Sequence, residues 1–154
     1  LPTLAQGGLT LDAANAGVIL DGGAIASQAD GIVVASDHNT VRGFQIRRFT
    51  GFGLRVSGSA NVIGGDSTLG SAPIGRGNIV IENGAGVALA AGDLGGGIYV
   101  DGSDNVIVGN YVGLQADGLT FAPNAANAYQ IKLSGSRAAG SAPFVVVERT
   151  DIAN

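Results

Sequence analysis

Short aliphatic runs recur along the chain with one variable residue held between two apolar ones: Ile32-Val33-Val34, Leu54-Arg55-Val56, Ile98-Tyr99-Val100 and Ile131-Lys132-Leu133. In extended backbone, successive side chains point to opposite faces. The first and third members of each triplet therefore face a core, and Val33, Arg55, Tyr99 and Lys132 face out. Runs such as Gly31-Ile32-Val33-Val34 and Phe144-Val145-Val146-Val147 are short and β-branched, which predicts strands. No apolar run approaches the roughly 20 residues needed to cross a bilayer, so no membrane span is expected.

The triplets belong to a longer repeat. Each of the first three opens with glycine, at Gly31, Gly53 and Gly97, and each closing valine is followed five residues later by Asn39, Asn61 or Asn105. Those asparagines stand 22 and 44 residues apart, one and two multiples of a single period. A period of 22 residues accommodates three short strands and three corners, and strands that return to the same place after each circuit pair in parallel. The handedness of parallel crossovers then makes the coil right-handed.

The predicted fold is all-β: a right-handed parallel β-helix, a three-strand solenoid of about 22 residues per turn with loop excursions. It forms one domain over residues 1–154, whole or as a piece of a longer solenoid. Asn39, Asn61 and Asn105 are expected to stack as a structural ladder where strand meets corner. Glycines 43, 58, 64, 102 and 109 are expected to supply left-handed backbone at the corners. Asn78-Ile79-Val80-Ile81-Glu82-Asn83 resembles Asn105-Val106-Ile107-Val108-Gly109-Asn110, so residues 61–105 read either as two turns or as one turn with two excursions. Residues 64–75 and 114–127, rich in Gly, Ala, Pro and Asn, read as protruding loops.

Composition narrows the function classes. Charged residues make up 13% of the 154 and glycine supplies 27, which argues against a solvated helical bundle and a disordered tail. A net charge of −4 without a basic stripe offers no footprint for nucleic acid. One histidine and no cysteine cannot furnish a zinc site. The first residue is Leu1 and no basic-then-apolar leader follows, so a processed protein or an excised fragment is expected.

Candidate chemistry is sparse. His38 follows Ser36 and Asp37, but adjacent residues in extended backbone diverge and no Gly-x-Ser-x-Gly elbow is present, so a solvated corner histidine is the simpler reading and no catalytic residue is assigned. Asp101 and Asp104 flank a Gly-Ser turn and are the candidate calcium ligands, with plain turn chemistry favoured over metal binding. Arg42, Arg47, Arg48 and Arg55 hold half of the eight Lys and Arg residues, with Phe49 and Phe52 among them. Guanidinium groups grip carboxylates in pairs, so Arg47, Arg48 and Arg55, together with Tyr99 at the same strand position as Arg55, are the candidate glycan contacts. Outward decoration of a strand is the simpler alternative. Gly95-Gly96-Gly97 lacks the Lys-Ser or Lys-Thr and the βαβ setting of a nucleotide loop.

Asn61-Val62-Ile63-Gly64-Gly65, Arg76-Gly77-Asn78-Ile79-Val80 and Gly109-Asn110-Tyr111-Val112-Gly113 resemble the right-handed parallel β-helix repeats of large secreted bacterial surface proteins, within the pectin-lyase-like superfamily. The resemblance spans roughly residues 8–118 and carries a fold rather than an activity. It implies a secreted or cell-surface location and a non-enzymatic stalk, although some relatives in the superfamily cleave polysaccharides. The Gly-His-Gly turn and paired aspartates of its hydrolases, and the calcium-holding acidic cluster of its lyases, have no counterpart in this sequence. The resulting expectation is a structural β-solenoid without a cofactor, associating end to end or continuing a longer chain. The alternatives are a carbohydrate-binding module and a fragment of a polysaccharide lyase or hydrolase.

Overall fold

A computed structural model describes residues 1–84, 95–124, 129–134, 145–148 and 151–152. Among these residues the chain forms strands and no helix. Three strands make each full circuit. Coil one comprises β1 (Thr10–Asp12), β2 (Ile19–Asp21) and β3 (Ile32–Val34), and coil two β4 (Thr40–Arg42), β5 (Gln45–Arg47) and β6 (Phe52–Val56). Coil three comprises β7 (Val62–Gly64), β8 (Ile79–Ile81) and β9 (Gly96–Val100), and coil four β10 (Asn105–Val108), β11 (Tyr111–Val112) and β12 (Tyr129–Leu133). Coil five contributes β13 (Val145–Glu148) and β14 (Asp151–Ile152).

Corresponding strands stack into three parallel sheets, ordered β1-β4-β7-β10-β13, β2-β5-β8-β11-β14 and β3-β6-β9-β12, which we term the first, second and third sheets. The molecule is thus a three-sided right-handed parallel β-helix. Its register follows the sequence repeat: Ile32 pairs with Leu54 and Leu54 with Ile98, while Val34 pairs with Val56 and Val56 with Val100.

Interior columns follow from the pleat. Val41, Ile63 and Ile107 line the first sheet, Ile46, Val80 and Val112 the second, and Leu54, Ile98, Val56 and Val100 the third, all fully buried in one core. Glycines 31, 53 and 97 also face inward: a Cβ on Gly53 would lie 2.7 Å from both the Asn83 amide and Val80, and one on Gly97 2.2 Å from the Gln130 carbonyl. The repeat therefore opens with glycine because the interior has no room there. Gly58 and Gly102 depart from the sequence expectation in the same way. Their φ angles are not positive, and they are glycine because a Cβ would meet the backbone oxygen of the preceding coil at 1.9 Å. Gly43, Gly64 and Gly109 do hold the expected positive φ.

At two positions the alternation holds but the exposure differs from what facing alone implies. Tyr99 emerges on the outer side of the third sheet in register with Arg55 and Lys132, yet it is only 7% exposed because Phe52, Arg55 and Lys132 cover its ring. Leu133 pairs with Val100 but is 47% exposed, since β12 is the last strand of its sheet among the described residues.

Residues 61–105 make one circuit, not two: β7 pairs directly with β10. The extra length lies in excursions at the corners. Residues 64–77 do not protrude. They fold back so that Ile74 is buried with Ile79 and Ile81 on the outer face of β8, a second cluster that also takes in Ala122 and Tyr111. The same segment reaches past coil two to coil one, where the Ala72 amide donates to the Ala14 carbonyl at 2.7 Å and the Ser71 hydroxyl to the Asn15 carbonyl at 3.2 Å. Residues 114–122 form a second excursion closed by an antiparallel bridge between Leu114 and Phe121. Its tip is organised by Asp117, whose carboxylate accepts the amides of Leu119 and Thr120 and the Thr120 hydroxyl. Those bonds hold its carboxyl below the usual range. The remainder of the predicted 114–127 loop lies outside the described residues from 125 onward.

Candidate functional site

Asn39, Asn61 and Asn105 stack at the corner that leads into the first sheet, all buried. Asn61 Oδ1 accepts the Asn39 backbone amide at 2.8 Å and its side-chain amide at 3.0 Å, and Asn105 Oδ1 accepts the Asn61 backbone amide at 2.9 Å. Each carboxamide thereby satisfies a backbone donor that the bend has taken out of the strand ladder.

Two more ladders accompany this one, which the sequence reading did not assign. Asn110 Oδ1 accepts the Asn78 amide and Asn78 Oδ1 accepts the Phe44 amide at the corner entering the second sheet. Asn124 Oδ1 accepts the Asn83 amide and Asn83 Oδ1 accepts the Phe49 amide at the corner before the third. Their residue spacings of 32 and 41 break the 22-residue period because each circuit carries a different excursion. The signal available in the sequence was the likeness of residues 78–83 to 105–110.

His38, Ala60 and Asp104 precede the first ladder, and Arg48 and Glu82 precede Phe49 and Asn83; all five have φ between 56 and 60°. His38 is accordingly an exposed corner residue whose amide donates to the Ser59 carbonyl. Asp101 and Asp104 are both exposed, with Asp101 accepting the Tyr99 hydroxyl at 3.3 Å and Asp104 taking the left-handed corner position. Among the described residues no group of three or more His, Cys, Asp or Glu side chains comes together.

The four arginines separate into three settings. Arg42 pairs with Asp12 at 2.6 Å on the first sheet, and Arg47 pairs with Asp21 at 3.0 Å on the second. Arg48 joins the same carboxylate from the corner through a bond from Nε at 2.8 Å and a second from its terminal nitrogen. Arg55 stands alone among them on the third sheet, 3.7 Å from Asp30. Coil one thus turns three aspartates toward four arginines of coil two. Hydrogen bonding to Arg48 holds the Asp21 carboxyl far below the usual range, Arg42 lowers that of Asp12, and Asp21 in turn raises Arg48.

On the third sheet, Arg55, Tyr99 and Lys132 stand in one outward column, and Tyr129 lies on the same strand as Lys132. The Arg55 guanidinium lies 5.0 Å from the Tyr99 ring centre, and the Lys132 ammonium lies 5.4 Å from Tyr99 and 4.9 Å from Tyr129. Tyr129 is 46% exposed. Arg55 and Tyr99 are therefore neighbours as expected from their shared strand position, whereas Arg47 and Arg48 lie elsewhere, around Asp21. Lys132 and Tyr129 complete the group; the alternation placed Lys132 outside, but nothing in the sequence placed Tyr129 beside it.

At the N-terminal end of the solenoid the core opens into a cavity of about 190 Å³ lined by Leu1, Pro2, Leu4, Leu11, Leu20, Ile32 and Phe44. β1 and β2 are the edge strands of their sheets. Among the described residues no helix is long and apolar enough to cross a membrane. No family model matches the sequence, and neither a curated protein nor a solved structure matches it.

Proposed function

We propose that this chain is a non-enzymatic structural β-solenoid of an extracellular or cell-surface protein, whose end coil receives another coil of the same kind, from a second copy or from the continuation of a longer chain. The observation that carries the reading is the open apolar end, where Leu4, Leu11 and Leu20 face a cavity and, among the described residues, β1 and β2 each have one edge without a strand partner. Solenoids bury such ends by adding coils, and proteins that remain monomeric guard edge strands with unpaired charge. Here the edge carboxylates Asp12 and Asp21 are already neutralised by arginines of coil two. The extracellular placement rests on the resemblance of the repeats to those of secreted surface proteins. Sedimentation velocity and electron microscopy across concentration test the association. Elongated species that grow with concentration, and their loss in Leu20→Lys with the β circular-dichroism signal retained, are expected; strictly monomeric protein at every concentration would overturn it.

A second reading, contact with an acidic glycan, is favoured by the group of Arg55, Tyr99, Lys132 and Tyr129. The Tyr99 ring is already covered, so the surface offered to a sugar is the exposed Tyr129 ring beside the Lys132 ammonium. Calorimetry with polygalacturonate should give binding that weakens in Tyr129→Ala. An absence of heat would remove this reading and leave the first untouched.

A further inference from the structure

Asn83 is the one asparagine of the chain followed by glycine. In that dipeptide the backbone nitrogen of the second residue attacks the side-chain amide carbon of the first, unhindered because glycine has no Cβ. The N–Cγ bond forms, the Cγ–Nδ2 bond breaks, and ammonia leaves with the proton from the attacking amide. Water then opens the cyclic imide to aspartate or isoaspartate. We infer that Asn83-Gly84 is a latent modification site, held inert by the third ladder in the stacked coil and converted irreversibly when coils two, three and four separate.

Both reacting groups are occupied in the fold. The Gly84 amide donates to the Phe49 carbonyl at 2.8 Å, and Asn83 Oδ1 accepts the Phe49 amide at 3.0 Å. Asn83 Nδ2 donates to the Ile46 carbonyl and to Asn124 Oδ1, both at 3.1 Å. Asn83 is buried, and the attack requires the Phe49 and Ile46 bonds, which come from coil two, to break first. The reaction thus proceeds only through an opened state.

The product cannot return to its place. An aspartate at position 83 would put an oxygen, in place of Nδ2, against two acceptors, the Ile46 carbonyl and Asn124 Oδ1, with no donor between them. Isoaspartate would add a methylene to the backbone at a corner whose register joins three coils. Opening at this corner is therefore recorded covalently, and the opened coil is barred from re-entering the stack.

The test incubates the intact chain at mildly alkaline pH, folded and in urea, and follows the amide-to-acid mass change at residue 83 by peptide mapping. Conversion in urea, slowed by roughly tenfold or more in the folded chain, is expected. Equal rates in the two states, or no conversion in urea, would overturn the site. Asn83→Asp installs one product directly. It should unfold at lower urea than the parent or fail to fold, and an unchanged midpoint would overturn the claim that the product is excluded.

Discussion

Left-handed backbone at non-glycine residues is the local device that turns this coil. A side chain in that region costs about 1–2 kcal/mol, and the five residues that adopt it each sit one position before a ladder corner, where the bend and the bonds around it hold them. Ala60→Gly removes the Cβ conflict at φ 56° at the expense of extra chain entropy, so a gain of roughly 0.5–1 kcal/mol is expected in urea unfolding. Asn61→Ala should have the opposite sign, a loss of about 2 kcal/mol, because it leaves the buried Asn39 amide without its acceptor. The asparagine ladder was legible because its members kept constant distance from the valine before them. The handedness of His38, Ala60 and Asp104 was not, since these residues share no chemistry that marks it.

The excursions belong to the scale of elements. Residues 64–77 and 114–122 pack on the outer side of β8 and β11 in the second sheet, and Ile74 is the apolar side chain that joins the first of them to β8. Ile74→Ala should therefore cost about 2 kcal/mol and uncover Ile79 and Ile81, read as a lower urea midpoint together with increased binding of a hydrophobic dye. A loop composition of Gly, Ala and Pro announced that these segments leave the coil. It did not announce where they return, because the contacts that decide it, Ala72 with Ala14 and Ile74 with Ile79, join residues with no shared period. For the same reason the ladders through Asn78 and Asn83 lay outside the 22-residue register, and the circuit from 61 to 105 could not be counted until its strands were paired.

For the whole molecule, stability is expected to rise from the first coil inward. Leu11 and Leu20 are half-buried, whereas their counterparts in coils two to four are fully enclosed. Coil one is held instead by aspartates whose carboxyls are lowered in the fold. Such groups stabilise the native state above the ordinary carboxylate range, and that contribution fades as pH falls through the depressed values. On acidification, hydrogen exchange should find the amides of Ala13 and Gly22, which donate to Arg42 and Arg47 of coil two, losing protection before those of Val56 and Ile107. Simultaneous loss would mean that the carboxylates do not govern the end coil.

The circuit from Asn61 to Asn105 uses 44 residues to climb the same single strand spacing, about 4.8 Å, that the one from Asn39 to Asn61 climbs with 22. Height and cargo are thereby decoupled. A solenoid of this kind can change what it displays at a corner without altering the pitch that a neighbour docked at its end would meet, so surface novelty and assembly geometry are free to diverge.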